Sequence, residues 1–343
     1  MNILMISSGL FVDTGGPPVV IANLIENLTE DGHTLELVTA EGKHHTRILK
    51  LQHQGLNVIF YKVGGRFRFT QEWSKFDPQS FDLVWIHGMW LFPNILATIL
   101  ALRWGKRIVL TPHGVLSKTM IQKSKFLKLF VGSFELLNLK FNKNTKVHFL
   151  STKEKEVSIL KPRNSFVIPN FVNVDIKDSV RKDKFACYVA RIAKIKGIED
   201  ILSSSFSKQI DVYGGRNDLY SRSLDLGKCS YKGELMSHEV GSIMSEYKFY
   251  CLPSYGEGLP TSAIEAALSG CVLIVTEECN LNMFVDGVSC IQMTVGKDGL
   301  ETALNRAKTM TEDQYRDMRE SSMKITKRYF SRENVIMQYR KIL

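Results

Sequence analysis

Apolar and polar positions alternate on two length scales along this chain. Short runs that are apolar throughout are separated by longer stretches in which apolar residues recur every three or four positions. NILMISS is the first short run and predicts a strand. The loop after it carries Gly15, Gly16, Pro17 and Pro18. VVIANLIENLTEDG follows, with Val20, Leu24, Ile25 and Leu28 on one helical face. Pro18 suits the first turn of that helix and Gly32 its end. LELVTA, NVIFYKV, DLVWIHG, RIVLTPHG, VHFLST and SFVIPN complete the strands of the first half. In the second half, FACYVARI, IDVYGG, YKFYCLPS, CVLIVT and CIQM read as strands. GIEDILSSS, SHEVGSIMSEY, PTSAIEAALSG and DGLETALNRAKTM read as helices. A last helix, SRENVIMQYRKIL, opens on a cap at Ser331. Strands apolar on both faces, alternating with helices, predict parallel sheets covered on both sides.

The same order occurs twice, and length agrees with two domains. The chain has 343 residues, against ~150 for an ordinary domain. The expected division is residues 1–172, a polar linker NVDIKDSVRKDK at 173–184, a second domain at 185–328 and a C-terminal helix at 329–343. LFPNILATILALRW is the longest apolar segment. A membrane span needs ~20 residues, so this one predicts a buried or interfacial helix. MNILMISSGL lacks a basic flank, so no signal peptide is expected. The six cysteines form no CxxC pair and several lie in strand-like runs, which predicts buried free thiols in a reducing cytoplasm.

Charge changes the picture locally. The formal net charge is +10, but residues 87–163 alone hold 14 basic and 3 acidic side chains. Such a surplus suits an anionic partner: lipid headgroups, a polyprenyl diphosphate or nucleic acid.

The candidate chemistry lies in LPSYGEGLPTSAIEAALSGCVLIVT, residues 252–276. A strand runs into a glycine loop, then a helix, then the next strand. Open parallel sheets bind ligands at this carboxyl end. Gly256 and Gly258 allow a ligand close to the backbone, and the helix start offers unpaired N–H groups to a phosphate. Pro260 opens the helix without losing a hydrogen bond. Glu257 in the loop and Glu265 on the helix stand eight positions apart. Carboxylates accept hydrogen bonds from sugar hydroxyls. Taken alone, Glu265 is equally a complement to the helix dipole, and Glu257 a solvated loop acid.

This glutamate pair resembles the motif of the family 4 glycosyltransferases. Other segments agree in order and spacing: YVARIAKIKGIEDIL with Arg191 and Lys196, VIPNFV with Asn170, TPHGVL with His113, and IDVYGGRND with Gly214. The resemblance implies a glycosyltransferase B-type fold, α/β, with two Rossmann-like domains facing across a cleft. The first would bind the acceptor and the second the nucleotide-sugar donor, with the C-terminal helix packing back on the first. It implies Glu265 on the nucleotide ribose and Glu257 near the donor sugar. Arg191 and Lys196 would meet the diphosphate, whose charge grows as the glycosidic bond breaks. His113 would contact the donor sugar. Gly256, Gly258, Leu259, Pro260, Thr261 and Gly214, with Gly16, would complete the donor pocket. Gly15, Gly16, His87 and Asn170 fall on the acceptor side. The resemblance also implies retention of configuration, a UDP- or GDP-sugar as co-substrate, no bound cofactor and no metal.

Pro17 and Pro18 depart from the commoner pattern of the family, and CNLNMFVDG lacks a doubled glycine often found there. The stretch LSKTMIQKSKFLKLFVGSFELLNLKFNKNTK, basic and amphipathic, predicts attachment to the inner face of the cytoplasmic membrane. The function expected is sugar transfer to a polyprenyl-diphosphate-linked glycan in surface polysaccharide synthesis (O-antigen, capsule or exopolysaccharide). Three other readings compete. A nucleotide-cofactor oxidoreductase predicts a G-x-G-x-x-G turn, which is missing. A nucleic-acid binder predicts a recognisable module, also missing. A catalytically silent nucleotide-sugar-binding relative would lack part of the acidic and basic set, which is present.

Overall fold

The computed structural model describes all residues except 12–15, 66, 117–141, 160–161, 173–181 and 237. The chain divides into two units, Met1–Ile168 and Pro169–Leu343. The basic stretch of residues 117–146 and the expected linker lie mostly outside the described residues, as does Gly15.

The N-terminal unit is built on seven described strands. They are β1 (Asn2–Ser7), β2 (Thr34–Ala40), β3 (Asn57–Tyr61), β4 (Leu83–His87), β5 (Arg107–Thr111), β6 (Thr145–Phe149) and β7 (Ser165–Val167). All pair in parallel, in the order β3-β2-β1-β4-β5-β6-β7. Every residue of β4 is buried, as expected for a strand apolar on both faces. Helices α1 (Pro17–Glu30), α2 (Thr46–His53), α3 (Phe92–Arg103) and α4 (Thr152–Val157) connect the strands. Pro17 and Pro18 occupy the first turn of α1, where a missing N–H costs nothing. The apolar segment expected to be a buried or interfacial helix is α3, whose Leu96, Ala97 and Ala101 join the core. No described helix is long and apolar enough to cross a membrane.

The C-terminal unit repeats the winding. Its strands are β8 (Lys184–Val189), β9 (Ile210–Tyr213), β10 (Ser230–Gly233), β11 (Tyr247–Leu252), β12 (Val272–Thr276) and β13 (Cys290–Met293). Their order is β10-β9-β8-β11-β12-β13, again parallel. The helices are α5 (Ile198–Ser203), α6 (Leu219–Ser223), α7 (Val240–Met244), α8 (Thr261–Leu268), α9 (Lys297–Thr309), α10 (Glu312–Phe330) and α11 (Arg332–Arg340). Ser331 caps α11 by accepting from Asn334 N, as its sequence predicts. Lys182 anchors the entry to β8. Its Nζ donates to the carbonyls of Ser245, Tyr247 and Ser269 at 2.9–3.0 Å. All six cysteines are free and buried.

Besides the short helices α2, α4 and α6, the sequence expectations lack α10 and β10. Helix α10 buries Tyr315, Met318, Ser322, Thr326 and Phe330. The stripe has helical spacing, but two of its five members, Ser322 and Thr326, are small and polar, so apolar periodicity does not reveal it. Strand β10, SYKG, is short and polar because it forms the sheet edge.

In both sheets the first strand lies inside, and the winding reverses beside it. The reversal falls between β1 and β4 in one unit and between β8 and β11 in the other. Loops leaving two such strands diverge and open a crevice at their carboxyl ends. The loops after β8 and β11 carry Arg191, Lys196 and Glu257. The loop after β1 carries Gly16, and β4 ends on His87.

Candidate active site

The C-terminal unit brings the loops after β8 and β11 into direct contact. Lys196 Nζ lies 2.6 Å from Glu257 Oε1 across 61 residues of sequence. Their side chains retain only 19% and 10% of their exposure, so little water screens the pair. Ser254 Oγ stands 2.7 Å from the same carboxylate oxygen and 2.9 Å from Ile195 O. Tyr255 N donates to Ile195 O at 2.8 Å. Its hydroxyl reaches Asp200 Oδ2 at 3.0 Å, on the helix that follows the Lys196 loop.

Gly197 makes this approach possible. It adopts φ +69°, and a Cβ there would stand 1.9 Å from Pro253 O. Gly214 serves similarly at the end of β9, where a Cβ would stand 2.1 Å from Ala190 O. A third loop clamps the glutamate from behind. Glu257 N donates to Glu278 O at 2.8 Å, and Asn280 Nδ2 donates to Glu257 O and Gly258 O. Asn280 itself has a left-handed backbone, a conformation asparagine tolerates better than most residues. Thr276 Oγ1 donates to Ser254 O at 2.6 Å. The Glu257 loop is therefore held on both sides before any ligand arrives.

Helix α8 begins after Pro260, which is its N-cap residue rather than its first helical residue. No side chain caps it, and its first turn holds no acid. Its leading N–H groups and dipole favour an anion. Ala263, Ile264, Ala266, Ala267 and Leu268 are buried, while Glu265 and Thr261 are half-buried. Gly256 and Gly258 are half-buried, and Leu259 and Pro260 are buried. Arg191 is exposed just beyond β8, and its carbonyl accepts from Tyr188 Oη at 3.2 Å. Burial pushes the Tyr188 phenol well up, Glu257 adds to the shift and Arg191 opposes it, so both charges lie near that ring.

The N-terminal unit gathers a different set. Ser7, His87 and Thr111 stand in register at the carboxyl ends of β1, β4 and β5. Buried His87 contacts His113: Nδ1 to Nε2 is 3.1 Å, with the rings stacked at 5.4 Å. Trp85 stacks nearly parallel to His87, at 5.9 Å and 7°. Behind them Trp85 Nε1 donates to Thr111 Oγ1, which also meets His148 Nδ1 at 3.0 Å, and His148 Nε2 contacts Ile168 O. Burial lowers all three histidines, His87 well below its ordinary value, His113 to about 4 and His148 to about 3. They are neutral at pH 7.

Glu154 is the acid of this cluster, and the sequence reading passed over it. Its two oxygens accept from Gly114 N and Leu150 N, each at 2.6 Å. Burial pushes its pKa up to about 7. Its only sequence signal, Ser151-x-x-Glu154, reads as a helix cap. Ser151 does accept from Glu154 N. The carboxylate instead ties the His113 loop to the end of β6. Asn280 was passed over for the same reason, since its role depends on contacts far along the chain. Gly16 caps α1 in an ordinary helical conformation. Asn170 is buried, with Oδ1 unpartnered among the described residues.

Residues 14–176 match the family model described as Glycosyltransferase Family 4. Solved structures extend the likeness over the whole chain. Sucrose-phosphate synthase from Thermosynechococcus elongatus is 16% identical, with TM-score 0.77, covering 100% of this chain and 98% of its own. Anabaena HepE, in complex with UDP-glucose, is 14% identical with TM-score 0.78, covering 100% and 99%.

The chain has the fold of the B-type glycosyltransferases.

WaaG, a glycosyltransferase involved in lipopolysaccharide biosynthesis, shares the glycosyltransferase fold at 13% identity and TM-score 0.68, with 98% of each chain covered. No curated protein matches this chain in sequence. The paired Rossmann-like architecture expected from the sequence is thus the one found.

Proposed function

We propose that this protein is a glycosyltransferase that retains configuration and moves a sugar from a UDP-sugar to a lipid-linked glycan in surface polysaccharide synthesis. The observation that carries the reading is the Lys196–Glu257 contact in a preformed loop beside an uncapped helix start. Support for a uridine nucleotide comes from the fold shared with HepE, whose structure holds UDP-glucose. Support for surface polysaccharide comes from WaaG. The basic surplus of residues 87–163 supports an acceptor that carries diphosphate.

In this reading the diphosphate settles at the start of α8, met by its N–H groups, Arg191 and Lys196. As the glycosidic bond breaks, charge collects on the departing diphosphate, and these groups stabilise it without a metal ion. Glu265 bonds the ribose hydroxyls. Glu257 accepts from hydroxyls of the donor sugar, and its preformed loop spares the ordering cost at binding. His113 bonds an oxygen of the ligand. Incubation with UDP-glucose, UDP-N-acetylglucosamine and GDP-mannose, followed by NMR of the product's anomeric proton, tests the reading. A product with the donor's configuration supports it. An inverted product would overturn the retaining mechanism.

A further inference from the structure

His87 and His113 must share one proton along the 3.1 Å line between His87 Nδ1 and His113 Nε2. Two neutral arrangements satisfy that contact. In one, His113 Nε2–H donates to His87 Nδ1, which places the single His87 ring proton on Nε2. That atom is buried and has no partner among the described residues. A buried N–H without an acceptor is rare and costly, whereas a bare lone pair is tolerated better. In the other arrangement His87 Nδ1–H donates to His113 Nε2, and His87 Nε2 carries no proton.

We propose that His87 is a positioning residue whose Nδ1–H holds His113 in its Nδ1–H tautomer, so that His113 offers a ligand a hydrogen-bond donor and not a base. The stacked Trp85 ring fixes the plane of His87. Asn94 Nδ2 fixes its backbone by donating to His87 O and Gly88 O at 3.1 and 2.9 Å. His113 has a left-handed backbone at φ +54°, and its next residue is tied to Glu154. His113 Nδ1 takes no hydrogen bond among the described residues, and the residue is half-buried. An N–H there matches an acceptor oxygen, such as a sugar hydroxyl or a phosphate. This replaces an acceptor-side contact for His87 with a role exerted through His113. It rests on the reading that His113 meets the ligand.

The test is ¹⁵N-detected histidine NMR on the full chain at neutral pH, for wild type, His87→Asn and His87→Leu. The amide of asparagine can supply the N–H that His87 Nδ1 supplies; leucine cannot. Wild type and His87→Asn are expected to show His113 protonated at Nδ1. His87→Leu is expected to move that proton to Nε2, the site an unconstrained imidazole prefers, and to lower turnover about tenfold through misplacement. His87→Asn should recover most of that loss. Protonation of His113 at Nε2 in wild type, or at Nδ1 in His87→Leu, would overturn the proposal. If His87→Leu does not fold, wild type and His87→Asn still decide it. Turnover of His113→Ala separates the two claims. Unchanged turnover removes His113 from the ligand site, while the tautomer result stands on its own.

Discussion

The two sheets end in loops that treat charge in opposite ways. The C-terminal unit keeps its charges and pairs them, with Lys196 against Glu257. The N-terminal unit suppresses charge, with neutral histidines and a glutamate whose pKa stands at about 7. In the proposed reading a diphosphate leaving group needs nearby positive charge, and a lysine held in place by a glutamate suits that loop. Neutral rings with defined tautomers suit recognition of hydroxyls, where a charge would demand a counterion. The comparison separates a loop built for electrostatics from one built for hydrogen-bond geometry.

The largest effect expected is from Lys196→Met. It leaves Glu257 with little water and no cation, which costs about 3–5 kcal/mol by analogy with broken buried pairs. Chemical denaturation measures that loss. Transfer should fall ~10²–10³-fold, since one charge stabilising the leaving group is gone. Pairing it with Glu257→Gln should restore stability without restoring transfer. If the double variant stays as unstable as the single one, the pair is not the source of the cost.

His113→Ala should lower turnover by roughly 10- to 100-fold, the worth of a hydrogen bond to a ligand. It should leave nucleotide affinity nearly unchanged, which titration of UDP alone would check. A large loss of UDP affinity would erase the contrast between the two loops.

The pH dependence of stability should run in opposite directions for the two kinds of buried group. His113 and His148 have folded pKa values of about 4 and about 3, below the unfolded 6.5. The unfolded chain therefore binds more protons, and their contribution is lost as pH falls from 6.5 toward those values. Glu154 is raised from 4.5 to about 7. Here the folded chain binds more protons, so stability falls as pH rises through that window. Glu154→Gln removes that second slope. Denaturation of both proteins between pH 4 and 8 would reveal it, and identical curves would refute the assignment.

The smallest effect is structural. Ser331→Ala removes the cap of α11 and should cost about 1 kcal/mol by thermal denaturation, with transfer unchanged.

Much of this architecture was legible from apolar periodicity, because strands such as β4 and β12 are buried throughout and read as unbroken apolar runs. Helix α10 was not, because Ser322 and Thr326 complete its buried face. In the site, Glu257 and Lys196 stood out by residue type and position beside glycines and strand ends. Their contact was not legible, since it spans 61 residues. Asn280 and Glu154 escaped notice because each acts through backbone groups brought near by folding, and those partners leave no trace in local sequence.

The most direct test of the central claim is a thermal-shift titration of UDP-glucose against wild type and the Lys196→Met, Glu257→Gln double variant. A ligand bound only by the folded state raises the melting temperature with concentration. The account predicts a rising, saturating shift in wild type and its loss in the double variant. No shift in wild type, or equal shifts in both proteins, would contradict it.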